Sequence, residues 1–228
     1  MAGRLKLSVL MPVFNEAPTI AAVVERVRAV PLDHEIVLVN DASSDGTHAI
    51  VDDLAAPDVA VIHHPVNRGK GAAIRTGLEA AAGDVIVIQD ADLEYDPSDF
   101  TRLIAPIAGG QAEVVYGVRP LGSQKLVMHF GNRFVTLAAN LLYGARLKDM
   151  ETCYKMMRRE IALRLDLECR RFDVEAEITA KLLRAGYAIH QLPIRYTARY
   201  ENKKLSPADG WPTLRALWKY RRWKTDHR

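Results

Sequence analysis

Short apolar runs and amphipathic stretches alternate along the first half of the chain. Leu7–Val13, Glu35–Asn40, Val59–His63 and Val114–Gly117 read as strands, and Val85–Gln89 as a buried one, apolar on both faces. Between them, the spacing of apolar positions predicts helices over Ala17–Val30, Asp45–Ala55, Gly71–Ala82 and Pro97–Ala108. Strands joined through helices by short connections imply right-handed crossovers and a mainly parallel sheet, so the fold class is α/β. From Gln124 to Tyr143 the pattern turns helical, with Leu126, Phe130, Phe134, Leu137, Leu141 and Leu142 at three- and four-residue spacings. After Met150 the pattern is mixed; a helix over Val174–Ala185 is stopped by Gly186, and Tyr187–Pro193 reads as a strand. No internal repeat, low-complexity segment or linker interrupts residues 1–213, which read as one catalytic domain.

The polar residues at the strand ends change this picture from fold to chemistry. Asp90 and Asp92 follow the apolar run Val85–Gln89, at the edge where open α/β sheets bind ligands. Two carboxylates one residue apart on a rigid strand end suit a hard divalent cation, Mg²⁺ or Mn²⁺, which would neutralise a diphosphate. The loops Pro12-Val13-Phe14-Asn15-Glu16 and Asn40-Asp41-Ala42-Ser43 open on the same edge. Asp41 is expected to face a nucleobase or ribose, while Asp45 caps the following helix. In Asn67-Arg68-Gly69-Lys70-Gly71, backbone N–H groups are expected to meet phosphate, with Lys70 as a point charge. Neither a Walker A motif nor a GxGxxG fingerprint is present. His63 and His64, at a strand end, read as surface or supporting groups rather than metal ligands.

Composition narrows the class. The 228 residues are 49% hydrophobic and 26% charged, as in a soluble globular protein. Two cysteines, Cys153 and Cys169, give neither a disulfide framework nor a zinc pattern, and they fit a reducing, cytoplasmic setting. The start of the chain lacks the shape of a signal peptide, and no apolar run is long enough to span a bilayer. Charge is uneven. The tail 214–228 holds six cations and one acid, a net +5 in a chain of +3, so residues 1–213 sum to −2. An acidic body argues against a nucleic-acid binder. The basic tail carries Trp218 and Trp223 in a helical pattern, which suits the surface of an anionic membrane.

Taken together, PVFNE at 12–16, VNDASSDGT at 39–47, NRGKGAAIRTG at 67–77, QDADLEYDP at 89–97, DMETCYKMMRRE at 149–160, FDVEAEITAKLLRAGY at 172–187 and LPIRYTAR at 192–199 resemble the inverting family 2 glycosyltransferases, and within them the dolichyl- or polyprenyl-phosphate sugar synthases. The resemblance implies a GT-A, Rossmann-like fold with a C-terminal helical region on the acceptor side. It implies that Pro12, Phe14, Glu16 and Asp41 line the nucleotide pocket, with Lys70 and Asp90 on the donor. Asp90, Asp92 and Glu94 would hold the metal, Arg119 would lie near the phosphates, and Arg133, Arg199 and Lys203 would hold phosphate groups around the site. The chain departs from the family at Asn40-Asp41, where two acids are common, and at Glu201-Asn202-Lys203-Lys204, where Glu-Gly-Lys-Lys is common.

The expected reaction is transfer of a monosaccharide from a GDP- or UDP-sugar to a polyprenyl phosphate, with inversion. A phosphate monoester is largely dianionic near neutrality and needs positioning more than deprotonation. A hydroxyl acceptor, the alternative, would need a base, for which Asp149 is the candidate. A non-catalytic nucleotide-sugar-binding protein is the third possibility. A lipid acceptor further implies a peripheral position at the cytoplasmic membrane face, reached through the tail, the apolar helix Phe130–Tyr143 or a membrane partner.

Overall fold

The computed structural model describes residues 5–120, 126–198 and 210–224. Arg199 and Lys203, both expected at the acceptor, lie outside the described residues. Five strands come where the apolar runs place them: β1 (Leu7–Val13), β2 (His34–Asn40), β3 (Val59–His63), β4 (Val85–Ile88) and β5 (Val114–Val118). Two more complete the sheet, β6 (Lys155–Arg158) and β7 (Ile189–Pro193), in the spatial order β3-β2-β1-β4-β6-β5-β7. Every pairing is parallel except those of β6, which runs antiparallel between β4 and β5. The sequence does not announce β6. Its Lys-Met-Met-Arg is four residues long, has no β-branched side chain, and opens on a lysine that is fully buried.

Helices α1 (Ile20–Arg28), α2 (Thr47–Asp53), α3 (Lys70–Ala80), α4 (Phe100–Ala108, after a 3-10 turn at Pro97–Asp99), α5 (Leu126–Tyr143), α6 (Arg159–Arg164), α7 (Val174–Arg184) and α8 (Gly210–Tyr220) surround the sheet. The central strands are buried along nearly their whole length, which explains the continuous apolar runs. Their side chains form the main core with Val23, Val24 and Val27 of α1, Ile74 of α3 and Leu103 and Ile107 of α4. A second core joins α5, α7 and α8 through Val135, Ala139, Ala176, Ala180, Ala216, Leu217 and Tyr220. The alanines let the three helices approach closely, and the Tyr143 hydroxyl of α5 donates to the Leu217 carbonyl of α8. The expected tail therefore does not begin at 214. That boundary falls inside α8, whose inner face is part of the packed domain while Trp211, Arg215, Trp218 and Arg222 are exposed.

β1 lies between β2 and β4, so chain order reverses across the β1–β4 pair. Strand ends on either side of such a reversal splay apart and leave a crevice at the carboxyl edge. The loops after β1, β2 and β4 all meet there.

Candidate active site

Backbone strain marks this edge. Asn15, Ala42 and Leu93, one in each of the three loops, adopt positive φ (50°, 58° and 62°). Non-glycine residues hold this conformation only where the surroundings over-determine it, and such residues gather at functional sites. The Thr19 hydroxyl ties two of the loops together, 2.7 Å from the Ala91 carbonyl and 3.0 Å from a Glu16 carboxylate oxygen. Glu16 also donates its backbone N–H to Thr47 Oγ1 (2.9 Å), which links the β1 loop to α2. Pro12, near the end of β1, and Phe14, on the loop after it, are half-buried.

Asp90, Asp92, Glu94 and Glu16 bring four carboxyl groups to this crevice. Burial pushes the Asp92 carboxyl up to about 7, and the negative charges of Asp90, Glu94 and Glu16 reinforce the shift. For Asp90, burial opposes ionisation, but the Lys70 ammonium outweighs it and holds the carboxyl below the usual range. Lys70 Nζ is 2.8 Å from Asp90 Oδ1 and 3.0 Å from Glu175 Oε1. The all-oxygen donor set and its unbalanced charge fit a hard divalent cation. Glu94 is not simply a third ligand: its Oε2 accepts from the Tyr196 hydroxyl (2.7 Å) and its carbonyl accepts from Thr197 N–H (2.9 Å). It holds the segment leading toward Arg199. Among the described residues, Asp90, Asp92 and Glu94 do not bring three ligand atoms within 4.8 Å.

Arg119 follows β5, and Asp149 precedes β6. The guanidinium grips the carboxylate in a fork, Nε to Oδ2 at 2.7 Å and Nη2 to Oδ1 at 2.8 Å. Both side chains are about nine-tenths buried, and the Tyr196 ring lies 5.3 Å from the guanidinium carbon. Both Asp149 oxygens are thus engaged by the Arg119 guanidinium. Arg133 is exposed on α5.

Two groups expected to face the donor are engaged within the fold. The Asp41 carboxylate is one of them. It is buried, with Oδ1 taking Arg68 N–H (2.8 Å) and lying 2.6 Å from His64 Nδ1, and Oδ2 taking Gly69 N–H (2.7 Å). Backbone N–H groups at 68, 69 and 71, expected at phosphate, are the other. Those of Arg68 and Gly69 go to Asp41, and those of Gly71 and Ala72 go to the Arg170 carbonyl (2.9 and 3.3 Å). The two glycines serve close approach. A Cβ on Gly69, at φ +91°, would sit 2.3 Å from the Arg170 carbonyl oxygen, and one on Gly71 would sit 2.4 Å from that of Cys169. The loop thus docks onto the 169–171 segment and fixes Lys70 beside Asp90. Asp45 is not the N-cap it was expected to be: α2 is capped by Gly46, in the left-handed conformation, and Asp45, one residue earlier, accepts Thr47 N–H at 3.1 Å.

Behind Lys70 lies a network without a local sequence signal. Glu175 Oε2 accepts from Lys155 Nζ (2.6 Å), which also donates to the Met150 carbonyl (2.9 Å). Asp90, Lys70, Glu175 and Lys155 therefore alternate in charge from the crevice into the interior. Next to them Glu151 has a buried Oε1 without a hydrogen-bond partner among the described residues, and burial pushes its carboxyl up to about 7. Glu177, in contrast, is structural: it accepts from Glu168 and Cys169 N–H (2.8 and 2.7 Å) and pairs with Lys181 (2.8 Å). The only available sequence hint was that charged residues interrupt otherwise apolar stretches.

The profile of Glycosyl transferase family 2 matches residues 8–165. The low-salt glycan biosynthesis hexosyltransferase Agl6 of Haloferax volcanii is 30% identical over 221 residues, covering 92% of this chain and 52% of the relative. The undecaprenyl-phosphate 4-deoxy-4-formamido-L-arabinose transferase of Pseudomonas fluorescens is 32% identical over 196 residues, 82% of this chain and 55% of the relative. The polyprenol monophosphomannose synthase of Mycolicibacterium smegmatis is 29% identical over 209 residues, 84% of this chain and 77% of the relative. The chain spans about half the length of the first two. Glucosyl-3-phosphoglycerate synthase from Mycobacterium tuberculosis, solved with Mn²⁺, UDP and glucosyl-3-phosphoglycerate, superposes with a TM-score of 0.76 at 22% identity, covering 99% of this chain and 82% of that one. At that identity the likeness is one of fold, and the fold is GT-A. With the profile covering most of the chain, from β1 to the end of α6, the protein belongs to the family 2 glycosyl transferases.

Proposed function

We propose that this chain is the catalytic domain of an inverting, divalent-metal-dependent transferase that moves a monosaccharide from a nucleoside-diphosphate sugar to a polyprenyl phosphate. The observation that carries the reading is the buried acid cluster at the β1–β4 crevice facing the Arg119–Asp149 fork. Asp90 and Asp92 would hold Mg²⁺ or Mn²⁺, which when bound neutralises charge on a diphosphate leaving group. Lys70 keeps Asp90 ionised and in place. Pro12, Phe14 and Glu16 would line the nucleotide pocket, with Asp41 supporting its wall from inside. Arg119, preorganised by Asp149, would stabilise phosphate charge that develops as the glycosidic bond breaks.

A phosphate acceptor is favoured by the occupation of Asp149, because a hydroxyl acceptor needs a base and this carboxylate is committed to Arg119. Two of the relatives are named for undecaprenyl-phosphate and polyprenol substrates. A lipid acceptor also fits the surface. Phe130, Phe134, Leu137 and Leu141 form one stripe along α5, each between 54% and 77% exposed. Trp211 and Trp218 of α8 are exposed too, among Arg215, Lys219 and Arg222. No helix among the described residues is long and apolar enough to cross a membrane. The stripe and the basic helix would bring the active site to a membrane face, with Arg133 on the first of these helices near the acceptor.

A thermal-shift panel of GDP- and UDP-sugars with Mn²⁺ tests the donor side, since a ligand stabilises the state that binds it. One nucleotide class should raise the melting temperature, only with metal, and lose that effect in Asp92→Asn. No shift with any nucleotide sugar would contradict a donor site.

A further inference from the structure

Asn40 and Asp41 are neighbours in sequence but anchor separate networks. Asp41 holds His64, whereas Asn40 faces two other histidines. His48 and Asp52 lie one turn apart on α2, and His63 is the last residue of β3. His63 Nε2 is 2.9 Å from Asp52 Oδ1, and His48 Nε2 is 3.4 Å from Asp52 Oδ2. The two imidazoles stack with centroids 4.0 Å apart and planes 34° from parallel. One potential ligand atom from each of the three residues falls within 4.8 Å of the others.

The hydrogen bonds define the metal-free state. Asn40 Oδ1 accepts Ser43 N–H (3.1 Å), which turns its NH₂ toward both rings, 3.0 Å from His63 Nδ1 and 3.3 Å from His48 Nδ1. Each Nδ1 then accepts, and each Nε2 carries the ring proton toward Asp52. Two imidazoles and a carboxylate, supported from behind by an amide, thus bring their ligand atoms within reach of one ion. Their side chains are 60%, 28% and 52% exposed for His48, His63 and Asp52, so an ion has an entry path and water can complete its shell.

We propose that His48, Asp52 and His63 form a second metal site, separate from the acid cluster at Asp90 and Asp92, for a borderline divalent transition ion of the Zn²⁺, Co²⁺ or Ni²⁺ class. Imidazole nitrogen selects such ions, whereas Mg²⁺ prefers oxygen ligands alone. Binding at Nε2 requires each ring proton to move to Nδ1, with no net proton release. Asn40 then turns its carboxamide so that Oδ1 accepts both Nδ1–H groups, and Ser43 N–H is released. Because Ser43 Oγ accepts Asn15 N–H (2.9 Å), occupancy of this site reaches the strained loop after β1.

The test is titration of the full chain with Co²⁺, read by visible absorption, followed by displacement with Zn²⁺ in a calorimeter. Saturating Mg²⁺ is present throughout to fill the oxygen site, and the titration is repeated in Asp92→Asn. The expected result is one saturable Co²⁺ site with d–d bands of nitrogen ligation, micromolar in affinity and retained in Asp92→Asn. His48→Gln, at an exposed position, and His63→Gln, at a half-buried one, should each weaken it by more than the roughly 10–100-fold that loss of an outer-shell partner costs. Absence of saturable binding below millimolar Co²⁺, or binding that survives both histidine substitutions, would overturn the proposal.

Discussion

At Asp92 a half-buried carboxyl group lies beside three others, and its charge is costly unless a cation offsets it. Asp92→Ala should reduce kcat/KM by at least about a hundredfold, since several kcal/mol of charge stabilisation go with the metal. Without metal, the same substitution should leave the melting temperature unchanged or raise it, because one of four crowded acids is gone. A large loss of stability in metal-free buffer would show that Asp92 supports the fold instead. Arg119 makes a different demand. Its planar fork fits Asp149 through two bonds, which a lysine ammonium cannot reproduce. Arg119→Lys keeps the charge yet loses one charge-assisted bond, about 1.5–3 kcal/mol, so turnover should fall about ten- to a hundredfold. Steady-state kinetics with the donor varied would check this, and a change confined to donor KM would argue against a role at the transition state.

The elements around these residues were legible to different degrees. Strands β1 to β5 and most of α1 to α5 follow from apolar runs and spacing, because β1, β2, β4 and β5 are buried along most of their length and the edge strand β3 still turns apolar residues to the core. β6 was hidden because two methionines and a buried lysine carry no strand signal. Asp90 and Asp92 could be read from a strand end. The duty of Asp41 could not, because the donors it satisfies, 27 and 28 residues away, belong to a loop whose own docking depends on Arg170. The far edge of the sheet offers a stability test. Glu35 of β2 accepts from Ser8 of β1, Lys6, and the Ala82 N–H ahead of β4. Burial opposes its ionisation, but these hydrogen bonds prevail and hold the carboxyl below the usual range. A depressed carboxyl stabilises the fold above its unfolded pKa, near 4, and that contribution disappears as pH falls through the folded value. Glu35→Gln should therefore cost about 1–3 kcal/mol in urea melts at pH 7, with the gap to wild type closing at lower pH. A gap that stays constant with pH would remove the ionised carboxylate as its cause.

For the whole molecule, the question is how a chain without a membrane-crossing helix among its described residues would meet the lipid acceptor proposed for it. The α5 stripe and the exposed tryptophans and cations of α8 give an apolar surface with a basic flank. Attraction to an anionic bilayer is about 1 kcal/mol per cation near the surface and is screened by salt. Since α8 packs on α5 and α7, removing residues after Thr213 would strip Leu217 and Tyr220 from the second core and damage the domain. Leu137→Glu with Leu141→Glu is the better probe, as both side chains are exposed. Co-sedimentation with phosphatidylglycerol vesicles at low and high salt should show wild type bound more than the variant, with both weakened by salt. Equal partitioning would leave membrane access to a partner protein.

The most direct measurement follows label from a radiolabelled nucleotide sugar into an organic-extractable lipid, with polyprenyl phosphate and free polyprenol compared side by side and with Mg²⁺, Mn²⁺ or EDTA. The predicted result is label in the lipid fraction with the phosphate acceptor alone, abolished by EDTA and by Asp92→Ala. Transfer to polyprenol or sugar hydroxyls in preference to the phosphate, or undiminished turnover in excess EDTA, would contradict a metal-dependent polyprenyl-phosphate transferase.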